Sequence, residues 1–220
     1  MTDLCVRMCA MVRKIVISVV ALLLSFSALA QSEKLYLDTD FNFDFDNTEY
    51  SGSNLGPSET LFGVSLAPVL RMEWNEKHNL GFGVNMQKLF GSPRFLDDID
   101  LIAYYQFRNE KYGAVAGLFR REKLIGRYSE AFFSNAWLAS NRVVQGLALQ
   151  YSDKVGFAEL AVDWNGMYSL ETREQFRILF SGEGRFVKIM YAGASFEMQH
   201  YANRADFQYN VVDNLVINPY

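Results

Sequence analysis

Three side chains in the C-terminal part of the chain have the types that hydrolysis uses: Ser195, Glu197 and His200. A hydroxyl becomes a nucleophile when a base within about 3 Å takes its proton, and a carboxylate can hold that base in place. In an extended chain Ser195 and Glu197 share a face, whereas His200 has the opposite parity, so spacing alone does not assemble the set. The second histidine, His78, follows a tight polar turn and reads as solvated. A larger constellation lies near the start. Asp38, Asp40, Asn42, Asp44 and Asp46 alternate along one stretch, placing an acceptor about every 6–7 Å on one face and making a ladder attractive to cations. Calcium ligands must converge on one point, which a single extended strand cannot arrange, so no metal site is expected. Arg173, Gln175 and Arg177 form a stripe of opposite sign, of the kind that selects anions when it lines a narrow pore. Arg71, Glu73, Glu159 and Asp163 have the same interior parity in their own stretches. The simpler reading of all these charges is mutual pairing across a wet interior. No P-loop, nucleotide fingerprint or zinc spacing occurs; no cofactor is expected and no residue is assigned as catalytic.

The elements that would carry these residues show a period of two. From Leu35 to Asp46 the odd positions include Phe41, Phe43 and Phe45, opposite the aspartates. Between Thr60 and Trp74, Phe62, Val64, Leu66, Leu70, Met72 and Trp74 oppose Gly63, Ser65, Ala67, Arg71 and Glu73. Alternation of this length predicts strands, because successive side chains point to opposite faces. Further candidates are 78–90, 98–108, 112–122, 143–151, 155–164, 173–181, 185–198 and 208–218, of which 112–122 and 185–198 alternate poorly, giving about ten strands and no helix.

The links between strands alternate as well. Asn75-Glu76-Lys77, Asn109-Glu110-Lys111, Ser152-Asp153-Lys154 and Ser181-Gly182-Glu183-Gly184 read as tight turns. Between them lie the longer links 47–59, 91–97, 123–142, 165–172 and 199–207. Short turns at one end and long links at the other are the plan of a meander closed into a membrane barrel. A Greek-key sandwich has no reason to keep that rhythm. The 20-residue link 123–142, with Phe132, Phe133 and Trp137, is too long for a structureless loop; it either folds into the barrel or extends above the membrane.

Residues 1–30 read as a cleaved export signal: Arg13-Lys14, an apolar stretch from Ile15 to Leu24 interrupted only by Ser18, then Ala28-Leu29-Ala30. The remainder, 31–220, keeps 18 of the 21 basic residues and 24 of the 25 acidic ones and loses both cysteines, Cys5 and Cys9. An acidic chain without a basic block argues against nucleic acid. A chain without mature cysteines has no disulfide scaffold.

With its signal, alternating faces and loop rhythm, the chain resembles Gram-negative outer-membrane β-barrel proteins, porin-like in plan. Its Ala28-Leu29-Ala30-Gln31 junction and its Phe157–Trp164 strand look like barrels of poorly characterised Bacteroidota families. The expected fold is an all-β, antiparallel up-and-down transmembrane barrel of about ten strands, twelve if the chain is C-terminally truncated, since Pro219 lacks the N–H of a closing strand. The resemblance implies residence in the outer-membrane bilayer and passive passage of small polar solutes or ions. A plugged structural or adhesive barrel is the alternative, and a Ser/His lipid hydrolase of the outer leaflet the less favoured one. On the leading reading the protein is not an enzyme. Oligomeric state is not encoded in these patterns.

Overall fold

A computed structural model describes residues 33–48, 59–130, 132–187, 190–206 and 210–220. The export signal, Tyr50 and most of the 47–59 link lie outside the described residues. Ten strands form one sheet in strict sequence order: β1 (Lys34–Thr48), β2 (Glu59–Trp74), β3 (His78–Leu89), β4 (Asp98–Arg108), β5 (Tyr112–Arg120), β6 (Val143–Ser152), β7 (Gly156–Gly166), β8 (Gln175–Val187), β9 (Met190–Tyr201) and β10 (Val212–Pro219). From β2 onward every neighbouring pair is antiparallel. The all-β antiparallel meander expected from the alternation is the fold observed.

The turns hold for local reasons. Asn75 and Glu76 both take positive φ, 52° and 56°, and Lys77 N donates to Trp74 O, as in a type I′ turn whose twist suits a hairpin. Asn109 Oδ1 accepts from Lys111 N and Tyr112 N, and Asp153 Oδ1 from Val155 N and Gly156 N. In each case a short acceptor side chain replaces a backbone turn bond. The expected turn at Ser181–Gly184 is instead the interior of β8, with Ser181 opposite Ser195 and Gly182 opposite Ala194. Its glycines mimic a turn in the sequence, but Ser181 and Glu183 keep the inward parity of Arg177 and Leu179. Pro219 is tolerated because Tyr220 and Gly193 exchange both backbone bonds, leaving its nitrogen facing away from β9.

Phe43, Phe62, Leu70, Phe82, Leu101, Leu149, Leu160, Phe180 and Leu215 are exposed on the outer face. The opposite face is buried. Ala67, Val69, Ile102, Tyr104, Val115, Phe119, Val144, Ala148, Ala161 and Leu179, from β2 and β4–β8, join one cluster with Phe132 and Phe133 of the 123–142 segment. That contact requires the sheet to curl and the segment to lie on its inner side. Two glycines permit close approach. Gly81 lies under the Tyr104 ring, where a Cβ would come within 2.3 Å, and Gly117, at φ 117°, lies against Ala103 O. The segment also contains a 3-10 turn (Arg121–Lys123) and the one α-helix among the described residues, α1 (Asn135–Ser140), capped by Ser134 Oγ accepting from Trp137 N. The expectation of no helix is thereby corrected: six residues, Trp137 among them, are too few to show a period.

The link 90–97 is built around Asp97. Its carboxylate accepts from Ser92 Oγ and from Leu89 N (2.6 Å), and Lys88 Nζ is 3.4 Å away. The Ser92 hydroxyl, then the Leu89 amide, hold the Asp97 carboxyl below the usual carboxylate range. A lowered folded-state pKa stabilises the loop fully above the ordinary carboxylate range and loses that contribution as pH falls through the lowered value. Carboxyl 13C titration in micelles should therefore give Asp97 a midpoint below those of exposed aspartates, and Ser92→Ala should move it back up. For the outer face, Leu160→Arg should cost roughly 2–4 kcal/mol in urea unfolding from lipid vesicles, and Tyr112→Arg near a short turn about 0–1 kcal/mol. Equal costs at both positions would contradict a hydrocarbon-facing band.

Candidate functional site

The inner face is organised by one carboxylate. Glu159 of β7 is 1% exposed. It accepts from Ile125 N (2.7 Å), Gly126 N (2.9 Å), the Tyr128 hydroxyl (2.9 Å) and Gln150 Nε2 (2.8 Å). Three of those donors belong to the 121–142 segment. Burial, and then the Glu159 charge, push the Tyr128 phenol well above its ordinary range, so it remains a donor. Further along, Arg127 N donates to Ser181 Oγ, and Ser195 Oγ donates to Arg127 O and contacts Ser181 Oγ at 3.0 Å. On the returning arm Gln87 Nε2 donates to Ala139 O. The segment therefore runs inward over β6–β9 and back past β3, filling the interior rather than rising above it.

Charged residues pair around it. Arg121 binds Asp163 (2.6 Å), which is 0% exposed and also accepts from Gln145 N. Arg177 lies 3.2 Å from Glu197, and the Trp137 ring is flanked by the Arg177 and Arg121 guanidiniums at 4.2 and 4.7 Å. On the β1 side, Asp38 binds Arg71 (2.6 Å), which also reaches Glu73 and Asn79 and covers the Tyr36 ring. Asn42 contacts Ser65 and Asp44 pairs with Arg142, whereas Asp40 is exposed and Asp46 half-buried. Arg173 sits before β8 and donates to Ala202 O and Asn210 O; Gln175 reaches Asn165 O. Sequence parity placed most of these on one face. It did not identify Arg121 and Arg142 as partners, because both lie at the ends of the long link where alternation stops.

The Ser195–Glu197–His200 set is not assembled. Ser195 and Glu197 are buried inside, but β9 extends to Tyr201 and its parity sends His200 outward. There Trp164, Phe176, His200 and Asp213 stand directly opposite one another on β7, β8, β9 and β10. Trp164 stacks on Phe176 at 5.0 Å and Phe176 on His200 at 4.7 Å. His200 Nδ1 is 2.7 Å from Asp213 Oδ1. A carboxylate only accepts, so Nδ1 is the donor in this bond; in a neutral ring that tautomer leaves the lone pair on Nε2. The imidazole is 21% exposed and the carboxylate 51%. This base-and-orienter pair lies at the long-link end, and a strand boundary set at 198 in the sequence hides it. His78, at the opposite end, bonds the Tyr105 hydroxyl (2.7 Å) and stacks on Trp74.

The lipid A 3′-O-deacylase-type family matches residues 28–216, and the chain belongs to that family. No curated protein matches it. The family is one of enzymes, which corrects the expectation of a non-enzyme. It also replaces the porin-like channel, and its structural or adhesive alternative, with the hydrolase option. The filled interior agrees with that correction, since a conduit for solutes needs space that the 121–142 segment takes.

Removing the central carboxylate isolates its role. Glu159→Leu leaves two amides, a phenol and a side-chain amide without their acceptor and should cost roughly 3–5 kcal/mol. A lower urea midpoint together with faster protease nicking within 121–142 is the expected result; unchanged nicking would mean the segment is held elsewhere.

Proposed function

We propose that the chain is an outer-membrane acyl-ester hydrolase that removes an acyl chain from a lipid A-type glycolipid, with His200 as general base and Asp213 as its orienting partner. The family supplies the reaction class. The carrying observation is the His200–Asp213 pair on the apolar outer face at the long-link end. In the barrel plan that end faces outward from the cell, at the level of the outer leaflet.

The aromatic rows support the membrane setting. Phe43, Phe62 and Phe90 meet edge-on near the long links, while Trp74, His78, Tyr105 and Phe107 gather near the short turns. From His78 to Phe90 is about 40 Å of strand, or about 30 Å of thickness at a tilt of roughly 40°. That matches a hydrocarbon layer with interfacial rings at both edges.

The chemistry follows from the pair. His200 Nε2 takes a proton from a water molecule as the water oxygen bonds to the ester carbonyl carbon. Asp213 fixes the ring orientation and stabilises the imidazolium that forms. When the ester C–O bond breaks, the imidazolium returns the proton to the departing sugar oxygen, and a fatty acid and a free hydroxyl result. Stacking by Phe176 limits the ring to the plane its partner requires. Near the interface, a carboxylate on the outer face costs far less than one at the midplane.

The test is release of fatty acid from lipid A in mixed micelles. His200→Gln should lower turnover by about 10²–10⁴-fold, and Asp213→Asn should lower it in the same direction. Ser195→Ala should stay within a few-fold, with heat-modifiable migration confirming assembly of each variant. Full turnover by His200→Gln, or loss of turnover in an assembled Ser195→Ala variant, would remove the outer-face pair from the reaction.

A further inference from the structure

A cavity of about 290 Å³ opens where the ends of β1 and β2 meet α1. Its polar lining consists of Asp44 and Asp46 from β1, Asn135 from α1 and Arg142 from the start of β6. Leu61 and Leu138 supply apolar wall, and Phe43 and Phe45 stand at its edge. Arg142 is 9% exposed; one nitrogen pairs with Asp44, while its Nε has no hydrogen-bond partner among the described residues. A buried donor left in this state is satisfied only when a ligand or water supplies an acceptor.

The charge balance selects the ligand class. Two carboxylates beside one guanidinium repel a phosphate or a fatty-acid carboxylate. The guanidinium in turn disfavours a small cation. A bare acyl chain would leave the Arg142 Nε donor without an acceptor. A neutral ring bearing several hydroxyls fits this lining: the carboxylates can accept further hydrogen bonds from its hydroxyls, Arg142 Nε and Asn135 can donate to its oxygens, and its C–H face lies on Leu61 and Leu138. The edge adds a further constraint. Phe43 and Phe45 are 59% and 65% exposed, belong to the outer apolar face, and pack on Phe62 at 5.4 and 5.7 Å. The cavity mouth thus joins the surface that faces acyl chains.

We propose that this cavity is a sugar subsite, which seats one hexose-type ring of a glycolipid while an acyl chain lies over Phe43, Phe45 and Phe62. The identity of the glycolipid rests on the deacylase reading; the binding chemistry does not. At about 290 Å³ the volume is near the lower end for small-ligand sites, which suits a single ring rather than an extended glycan.

Binding is measured calorimetrically on the full chain in micelles, in the His200→Gln background so that no turnover intervenes. The probes are lipid A, its fully deacylated glucosamine disaccharide, and phosphatidic acid. Lipid A should bind the parent, and Leu138→Trp, which fills the cavity without altering charge, should weaken it at least tenfold. Asp46→Asn should weaken it in the same direction, and phosphatidic acid should bind more weakly than lipid A and be indifferent to both variants. Competition by the free disaccharide identifies the ring alone as sufficient; its failure to compete, with lipid A binding still variant-sensitive, identifies a ring that needs its lipid tether. Lipid A binding equal in the parent and in both assembled variants, no lipid A binding by the parent, or phosphatidic acid bound as tightly as lipid A overturns the proposal. Fatty-acid release, assayed separately with His200 intact, tests the deacylase reading by a different readout.

Discussion

A carboxylate buried at 1% exposure is tolerable only if it is fully solvated by the protein, and Glu159 meets that condition by drawing in a foreign segment. Gln150 on the neighbouring strand provides one donor; the amides of Ile125 and Gly126 and the Tyr128 hydroxyl provide the rest. Everything else about the interior follows from this constraint. With the segment's first half fixed on β7, Phe132 and Phe133 fall into the apolar cluster and Trp137 between two guanidiniums. The returning arm then places Arg142 against Asp44.

The same constraint separates the two faces. Inside, the inward segment bonds to β6–β9 and leaves little room for traffic. Outside, large apolar side chains dominate the exposed face, as the proposed membrane setting requires. His200 and Asp213 stand on that outer face. Their neighbours Trp164 and Phe176 would be at home in any interfacial girdle; under the proposed function, two positions of that row carry proton chemistry.

Legibility in the sequence followed these physics. Where one face is apolar and the other polar, as in Phe41–Asp46 or Leu80–Gln87, a period of two fixes strand and facing together. Ser181–Gly184 misled because glycine-rich strand and turn have similar composition, and only pairing with Ala192–Ser195 distinguishes them. The function was harder to read. Ser195 and Glu197 suggested a nucleophile set by proximity in sequence, but the base turned outward and its partner, Asp213, comes from the next strand. Partners such as Arg121–Asp163 and Arg127–Glu183 lie far apart in the chain and follow no period. A pairing made by the inward course of a loop leaves no trace in local pattern.

The anchoring of the inward segment also imposes an order of events. Ile125, Gly126 and Tyr128 meet Glu159 at sequence separations of 31 to 34, and Arg127 meets Ser181 at a separation of 54. Such contacts return nothing for the chain entropy they cost until β5, β6 and β7 have paired and brought the carboxylate into place. Strand pairing therefore comes first, around an interior still wet, and the segment docks late by displacing that water. Maturation of the interior is in this sense a hydration-to-dehydration step that follows the zipping of the sheet.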